Sequence, residues 1–317
     1  MVNKFHGDES MSQPPQPSRK AWSYIQVTSW LFTGVALAVM FLGLTLLIRD
    51  SLPVWEHSGS GFLTNHRWFY RAGEYGAGAM IYGTVMVAGI ALLIATPLGI
   101  GAAVFGVEYL PRRLRTVMKV IVELLAGIPS VVYGLLGILL LRNWIYELLI
   151  DFDLLSGDTL LTAGILLGIM VLPTIMTLAD DALRGVSGAQ RMAARGLGLN
   201  ATESAIFVSI PQALPGLLAA VLLGFGRAMG ETIAVFLIVG RQDNQWPVSP
   251  MSLRPVLESG QTLTSKLGGS ETNIAYGQPL HWAAIVGLGL VLLALVVGVT
   301  LFGLWLQRLS LGRNDAA

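Results

Sequence analysis

The sequence contains no cysteine and carries few charged residues for its length. Asp, Glu, Lys and Arg make up only 12% of its 317 residues, about half of what a soluble protein carries. So few charges cannot cover a water-exposed surface of this size, which argues against a soluble enzyme or a disordered protein. Without cysteine there is no disulfide, no thiolate metal site and no cysteine nucleophile. The net charge of +1 gives no sign of a nucleic-acid partner.

Signatures of nucleotide binding and of catalysis are missing as well. There is no Gly-x4-Gly-Lys-Ser/Thr segment, and no glycine is followed by lysine, so the chain has no P-loop for ATP. The histidines are scattered and form no His-Glu-x-x-His motif; they are His6, His57, His66 and His281. We therefore expect a chain without catalytic residues, metal or cofactor. The alternative from another class is an integral membrane enzyme.

Long apolar segments dominate what is present. Hydrophobic residues make up 54% of the chain, and a bilayer core of about 30 Å needs about 20 of them in one helix. Six charge-free runs are long enough: 21–48, 75–107, 124–141, 159–179, 204–226 and 282–306. We place the second helix at 79–107, and the fifth at 214–240 because Pro211 and Pro215 stand near the start of its run. The sequence predicts an all-α integral membrane protein with six transmembrane helices.

These runs divide the chain into a predicted order of segments. Lys and Arg are more frequent on the side that holds both termini, which places the termini in the cytoplasm. The main transmembrane domain, 79–307, contains a cytoplasmic loop at 181–213 and a periplasmic loop at 241–281. The segments around it are a disordered cytoplasmic tail at 1–20, an anchor helix at 21–50, a periplasmic loop at 51–78 and a cytoplasmic tail at 308–317.

Two charged residues fall inside the fifth predicted helix. Arg227 and Glu231 lie in Gly224-Phe-Gly-Arg-Ala-Met-Gly-Glu-Thr232, four residues apart, and a helix would place both on one face, where pairing lowers the burial cost. One interpretation is an ion pair that locks two helices together. The other is a charged station on a solute path, because a guanidinium matches a tetrahedral oxyanion. Thr232 completes this candidate path.

Other polar or helix-breaking residues also fall within the predicted spans. Pro97 and Pro129 lie inside the second and third, where a proline kinks a helix. Glu123 has Lys119 four residues before it, which predicts a local ion pair near the cytoplasmic interface.

The cytoplasmic loop contains a small-residue segment that suits docking to another protein. Residues 189–197 predict a short helix that Gly198 ends. The spacing Ala193-Ala194-x3-Gly198-x9-Val208-x-Ile210-Pro211 resembles the coupling loop of ABC importer permeases, which inserts into a groove of the ATPase subunit. Met192 stands where that family has Glu. The resemblance implies that ATPase coupling involves Met192, Ala193, Ala194, Gly198 and Pro211.

Further segments resemble the permeases of the phosphate-specific transport system, and its C-type more than its A-type subunit. They are Pro97-Leu-Gly-Ile-Gly-Ala-Ala-Val-Phe105 with Glu108-Tyr109, Leu125-Ala-Gly-Ile-Pro-Ser-Val-Val-Tyr-Gly134, Gly226-Arg-Ala-Met-Gly-Glu-Thr232 with Ile233-Ala-Val235, Gly73-Glu-Tyr-Gly76 and Thr262-Leu-Thr-Ser265. The resemblance implies a type I ABC importer permease core of five helices plus the N-terminal anchor helix.

The same resemblance implies a function and partners. These are phosphate as substrate, a bacterial inner membrane location among membrane lipid, a second homologous permease subunit, two ATP-binding subunits and a periplasmic phosphate-binding protein. Arg227 and Glu231 match the charges on which transport depends in that family. The open alternatives are an ABC permease for molybdate or sulfate, the A-type phosphate permease, and a secondary transporter or channel.

Overall fold

The computed structural model describes residues 19–152, 154–246 and 254–314, and these are almost entirely helical. The chain divides into two compact units, residues 1–49 and 50–317. All but the last two residues of the predicted tail 1–20 lie outside the described residues, as do parts of the predicted segments 241–281 and 308–317. The all-α prediction is confirmed, because the described residues contain only one small β-sheet.

The first unit is represented by one long helix, Arg19–Ser58, which continues into the second unit. It ends at Gly59, whose φ of +54° is the left-handed conformation that commonly follows a helix. The predicted loop 51–78 is therefore wrong in its first eight residues, which are helical. The charges of Arg49 and Asp50 end the apolar run but not the helix.

Six helices of the described residues are long and apolar enough to cross a membrane, as predicted. We number them as the first to sixth spans: Gln26–Ser58, Gly78–Glu108, Ser130–Leu148, Leu160–Arg184, Ala201–Gly230 and Pro279–Trp305. The helix of the sixth span continues to Asn314, so the predicted tail at 308–317 is helical over most of its length. The predicted boundaries hold for the second span and are wrong for the third and fifth.

The third span begins later than predicted because a separate helix precedes it. This linking helix, Arg112–Ala126, has one face packed on the fourth span and ends at Gly127. Pro129 is extended, with ψ 139°, and precedes the span. Proline also disfavours the helical conformation in the residue before it. Pro129 thus separates two helices and does not kink one, which corrects its predicted place inside a span.

The fifth span begins and ends earlier than predicted. Asn200 and Glu203 form a capping box, with Asn200 Oδ1 accepting from the Glu203 amide at 2.9 Å, which starts the helix. At the other end the helix stops at Gly230, and Glu231 is extended with ψ 122°. A distal helix, Ile233–Ile238, follows. What was predicted as one helix over 214–240 is therefore broken.

The fourth span is the central helix of the second unit, and 67% of its most apolar 18-residue segment is buried. Glycines let its neighbours approach closely, as is usual between membrane helices. A Cβ on Gly164 would lie 2.6 Å from the Ile90 Cβ of the second span. A Cβ on Gly224 of the fifth span would lie 2.6 Å from Ile175 Cγ1. The second and fifth spans thus both pack tightly on the fourth.

The connections at one end of the spans form a folded layer, which we call the hairpin side. It contains an antiparallel hairpin of β1, Trp68–Phe69, and β2, Glu74–Tyr75. Short helices surround it: Gly61–Thr64, Arg254–Leu257, Leu263–Leu267 and Glu271–Ala275. Their apolar side chains form a cluster that includes Phe62, Trp68 and Leu263, all buried. The predicted loop 241–281 is thus ordered over its described residues.

A buried charge network holds this layer together. Lys266, only 2% exposed, pairs with Asp243 at 2.7 Å and with Glu271. Glu271 also accepts hydrogen bonds from Trp68 Nε1 at 2.5 Å and contacts His281 Nε2 at 3.0 Å. Burial raises the pKa of Glu271, but the hydrogen bonds from Lys266, Trp68 and His281 outweigh it and leave that pKa below its ordinary value. Glu271 is therefore ionised in the folded layer.

Candidate functional site

Arg227 lies one turn before the end of the fifth span, with its side chain exposed. It forms no hydrogen bond or ion pair with the residues that the structure describes. The Tyr133 hydroxyl of the third span lies within electrostatic reach of its guanidinium. Its charge is therefore uncompensated by the residues that the structure describes.

Glu231 is not paired with Arg227, contrary to the prediction. The helix ends at Gly230, between the two residues, so Glu231 does not lie one turn above Arg227 on a common face. Its Oε1 instead accepts a hydrogen bond from the Ala234 amide at 3.3 Å, at the start of the distal helix. The carboxylate is partly buried, and its second oxygen has no partner in the described chain. The interpretation of a locking ion pair between these residues is thus wrong.

An exposed strip runs along the fifth span and past its break. Leu223, Arg227, Gly230 and Ile233 are exposed at intervals of three or four residues, whereas Ala228, Met229, Ala234 and Val235 are buried. Leu223, Arg227 and Gly230 share one face of the fifth span, and Ile233 is exposed at the start of the distal helix. We call these four exposed residues the Arg227 strip.

Thr232 occupies the break beside this strip. Its hydroxyl donates to the Gly230 carbonyl at 3.3 Å, which partners one of the backbone groups that the helix end leaves free. Its methyl group lies against Gly268, where a Cβ would be 2.9 Å from Thr232 Cγ2. Thr232 therefore stabilises the break and packs it against the hairpin side.

Pro97 lies inside the second span, as predicted, within the continuous helix Gly78–Glu108. Lys119 lies 4.0 Å from Glu123, as predicted, but both residues belong to the linking helix rather than to the third span. Lys119 also lies 4.0 Å from Asp181 at the end of the fourth span. This pair thus helps to join the linking helix to that span.

The loop between the fourth and fifth spans carries the predicted short helix, which we call the loop helix, Gly188–Gly196. The Ser187 side chain caps it by accepting from the Ala189 amide at 3.2 Å. Gly198, at φ +90°, follows its end. The prediction of a helix at 189–197 is confirmed to within one residue at each end.

The loop helix presents only some of the predicted coupling residues. Met192 is 69% exposed, and Ala193 and Gly198 are also exposed. Ala194 is buried, because it faces the rest of the chain. Pro211 lies in the first turn of the helix that continues the fifth span, after one π-helical turn at 205–209. The exposed surface of the loop helix is therefore built around Met192 and Ala193.

A buried carboxylate, which the sequence did not reveal, ties the loop helix to the spans. Glu108 is the last residue of the second span, and its side chain is 1% exposed. It accepts a hydrogen bond from Ser209 Oγ at 2.7 Å and lies 3.4 Å from Arg191 Nε of the loop helix. Arg191 also donates to the Leu183 carbonyl at 2.5 Å. The loop helix is thus attached to the second, fourth and fifth spans together.

A second charged cluster joins the linking helix to the fourth span. Asp180 binds Arg115 and Arg184, each at 2.8 Å. Its side chain is 9% exposed, so the two arginines compensate a largely buried charge. Among the described residues, no group of three or more His, Asp or Glu could hold a metal ion.

The family comparison covers most of the second unit. Residues 95–313 match the family described as "Binding-protein-dependent transport system inner membrane component". This range contains the end of the second span, the third to sixth spans, the Arg227 strip and the loop helix.

Several relatives match over nearly their whole length. The phosphate transport system permease protein PstC of Mesorhizobium japonicum is 34% identical, over 92% of this chain and 92% of its own. PstC of Haemophilus influenzae is 33% identical, over 87% and 90%. A probable phosphate transport system permease protein PstC of Methanocaldococcus jannaschii is 30% identical, over 88% and 92%.

Solved structures show the same fold. An inward-facing MetNI methionine ABC transporter structure matches with a TM-score of 0.53 at 17% identity, covering 74% of this chain and 94% of that one. A bacterial ABC transporter that imports alginate matches with a TM-score of 0.50 at 15% identity, covering 91% and 98%. The fold is therefore that of a type I ABC importer permease, as predicted. The chain belongs to the family of binding-protein-dependent transport system inner membrane components, and it is a multi-pass inner membrane protein.

Proposed function

We propose that this chain is a permease subunit of an ATP-driven importer that moves inorganic phosphate into the cell. The observation that carries the proposal is Arg227, an exposed and uncompensated cation on a membrane span. A charge facing lipid at such a position costs several kcal/mol, whereas a charge facing a water-filled path does not. Relatives named as phosphate permeases match nearly the whole chain, and this supports phosphate as the substrate.

The two charged residues offer complementary groups to a phosphate ion. The Arg227 guanidinium can donate two parallel hydrogen bonds to phosphate oxygens. The unpartnered oxygen of Glu231 can accept a hydrogen bond from the hydroxyl group that phosphate retains near neutral pH, with Thr232 beside it. Sulfate and molybdate carry no such proton, so a carboxylate on the path favours phosphate over both. Arg227, Glu231 and Thr232 then form the translocation site.

The exposed Arg227 strip requires a second surface to close the path. A second homologous permease subunit would provide it. Two ATP-binding subunits would bind on the side of the loop helix, which faces the cytoplasm with both termini. A periplasmic phosphate-binding protein would deliver the substrate to the hairpin side.

The loop helix is the surface that the ATP-binding subunits would contact. Met192 and Ala193 project from it, and Gly198 ends it. Ala194 contributes by packing the helix onto its own chain, and Pro211 by starting the helix that leads to Arg227. ATP hydrolysis then occurs on the partner, and this chain is not itself an enzyme.

The alternatives make different predictions. A permease for molybdate or sulfate would keep the same partners but transport another oxyanion. An A-type phosphate permease would pair with a C-type subunit. A secondary transporter or channel would have no ATPase bound to the loop helix.

Uptake of labelled phosphate, in cells with and without this chain and with excess sulfate or molybdate as competitor, tests the proposal. We expect uptake to require the chain and to resist both competitors. Arg227→Ala should abolish uptake while the ATPase still co-purifies, and Arg142→Gln should retain it, because Arg142 already has Asp158 as a partner at 3.4 Å. Full uptake by Arg227→Ala would refute the role of Arg227. Phosphate uptake that does not depend on the chain would refute the substrate.

A further inference from the structure

The backbone is strained at one arginine beyond the distal helix. Within the described residues, two residues other than glycine have positive φ: Arg241 at +53° and Asn244 at +64°. Asparagine tolerates this conformation well, whereas for arginine it is unfavourable. Such strain persists only where the surroundings enforce it, and it concentrates at functional sites. Arg241 therefore needs an explanation that Asn244 does not.

Arg241 lines a polar cavity on the hairpin side. The cavity has a volume of about 260 Å³, and its walls include Gln261, Ser265 and Ser270. The guanidinium carbon of Arg241 lies 4.6 Å from the centre of the Phe236 ring, which holds the side chain in place. Because a water molecule occupies about 30 Å³ in the liquid, the cavity has room for an oxyanion with part of its hydration shell.

Arg241 is the cation in this cavity that has no ion-pair partner among the described residues. The cavity also contains two carboxylates, Asp243 and Glu271, which both contact the single buried cation Lys266, so the formal charges of Arg241, Lys266 and the two acids sum to zero. Arg241 is exposed and forms no ion pair with the described residues, although Asp243 is only two residues away. Its planar set of donors is thus free for an anion from outside the chain.

The cavity lies at the end of the Arg227 strip. Thr232 packs against Gly268, the neighbour of the cavity residue Gly269. The six residues of the distal helix span about 9 Å, and Gly240 and Arg241, both exposed, follow it after Val239. The distal helix therefore leads from Arg241 back to the break, where Glu231 and then Arg227 follow.

We propose that Arg241 is an outer oxyanion station, which binds phosphate from the periplasmic side before it reaches Arg227. This inference rests on the proposed function. The guanidinium donates hydrogen bonds to two phosphate oxygens, and the exposed Ser270 hydroxyl contributes a further donor. The strained backbone directs Arg241 into the cavity at a cost in stability. A lipid headgroup phosphodiester offers the same kind of oxygens, so the test must distinguish binding of free phosphate from binding of a lipid headgroup.

Replacing Arg241 by Asn separates a binding role from a structural one. Asn relieves the strain and removes the charge, so the thermal midpoint of the purified transporter should rise while the maximal rate of chain-dependent phosphate uptake falls by about tenfold. Arg241→Lys keeps both charge and strain, and its uptake should lie between that of Asn and the wild type. Arg71→Asn is the matched control, because Arg71 also lies over an aromatic ring, Tyr70, at 5.7 Å. It should leave uptake unchanged.

Three results would overturn the inference. Normal uptake by Arg241→Asn, in cells where uptake requires the chain, would refute the station and leave the proposed function intact. A lower thermal midpoint would show that Arg241 has a structural role. Uptake by the transporter reconstituted in phosphatidylcholine vesicles, with and without phosphatidylglycerol, tests whether Arg241 binds a lipid headgroup instead. The same uptake loss in both vesicles supports free phosphate, and a loss that depends on phosphatidylglycerol assigns Arg241 to a lipid headgroup.

Discussion

Removing the Glu108 carboxylate should loosen the attachment of the loop helix to the ends of three spans. Glu108→Ala deletes the acceptor of Ser209 and the anionic partner of Arg191, whose own side chain is 19% exposed. Leaving one member of a buried ion pair without its partner costs about 3–5 kcal/mol. Arg191 retains the Leu183 carbonyl and some contact with water, so we expect about 2 kcal/mol. For a unit of this size that corresponds to a thermal midpoint lower by roughly 4–8 °C.

A double-mutant cycle tests whether this loss belongs to the pair. Arg191→Gln removes the charge that Glu108→Ala would leave unpaired, so the double variant should be more stable than the sum of the two single losses predicts. Residues in one buried network couple by about 0.5–3 kcal/mol. Glu123→Ala is the control, because Glu123 is 55% exposed and lies 4.0 Å from Lys119. An exposed pair contributes at most about 1 kcal/mol.

The functional readout is the ratio of phosphate transported to ATP hydrolysed by the assembled transporter. Because Arg191 lies on the helix that would contact the ATPase, a loosened loop helix should lower this ratio more than it lowers ATP hydrolysis. Additive losses in the cycle, or a Glu108→Ala variant as stable as Glu123→Ala, would contradict the reasoning from burial. An unchanged ratio would show that the attachment stabilises the chain without coupling the two activities.

Three further predictions follow from burial, charge and packing. Ala193→Arg should keep the thermal midpoint but prevent co-purification of the ATPase, whereas Ala194→Arg should lower the midpoint, because only Ala194 is buried; the reverse pattern would contradict the assigned faces. Because the pKa of Glu271 is lower in the folded protein than its unfolded value of 4.5, the ionised carboxylate stabilises the fold at pH values above 4.5, and this stabilisation is lost as the pH falls below that value. Glu271→Gln should therefore show a flatter decline of the midpoint with acid, and parallel curves would refute the network. Gly224→Leu should cost about 1–3 kcal/mol by overpacking, more than Gly226→Leu, whose nearest neighbouring atom is 4.0 Å away; equal midpoints would contradict the close packing.

Most of the fold could be predicted because lipid imposes a length and an apolar composition on each span. The errors lie where a helix and an apolar run do not coincide. Arg49 and Asp50 end a run but not the helix, which continues for eight more residues to Ser58 before Gly59 ends it. In the third span the apolar run starts inside the linking helix, and the break comes at Pro129. Charge-free length therefore locates a span better than it locates its ends.

The candidate site was predictable in its residues and not in its geometry. Arg227 and Glu231 stand out as charges within an apolar run, but the break after Gly230 separates them. The signal that could have revealed it is Gly-Glu-Thr before an apolar segment, since glycine often follows a helix end and threonine often precedes a helix. The contacts of Glu108 with Ser209 and of Trp68 with Glu271 join residues 101 and 203 positions apart. No local pattern encodes such contacts.

The hydroxyl of Tyr133 has a consequence for how the subunit can move. It donates to the Leu125 carbonyl at 2.9 Å and so bridges the interruption between the linking helix and the third span. The Leu125 carbonyl also accepts from the Ile128 amide at 3.2 Å, so the hydroxyl adds a contact between the two helices and acts as a brace across the interruption. Within the part of the chain that the structure describes, the hydrogen bonds at the comparable interruption join residues no more than four positions apart, such as Glu231 to Ala234 and Thr232 to Gly230. We therefore expect the linking helix and third span to rotate as one rigid lever during a transport cycle, with the bending concentrated beside Arg227.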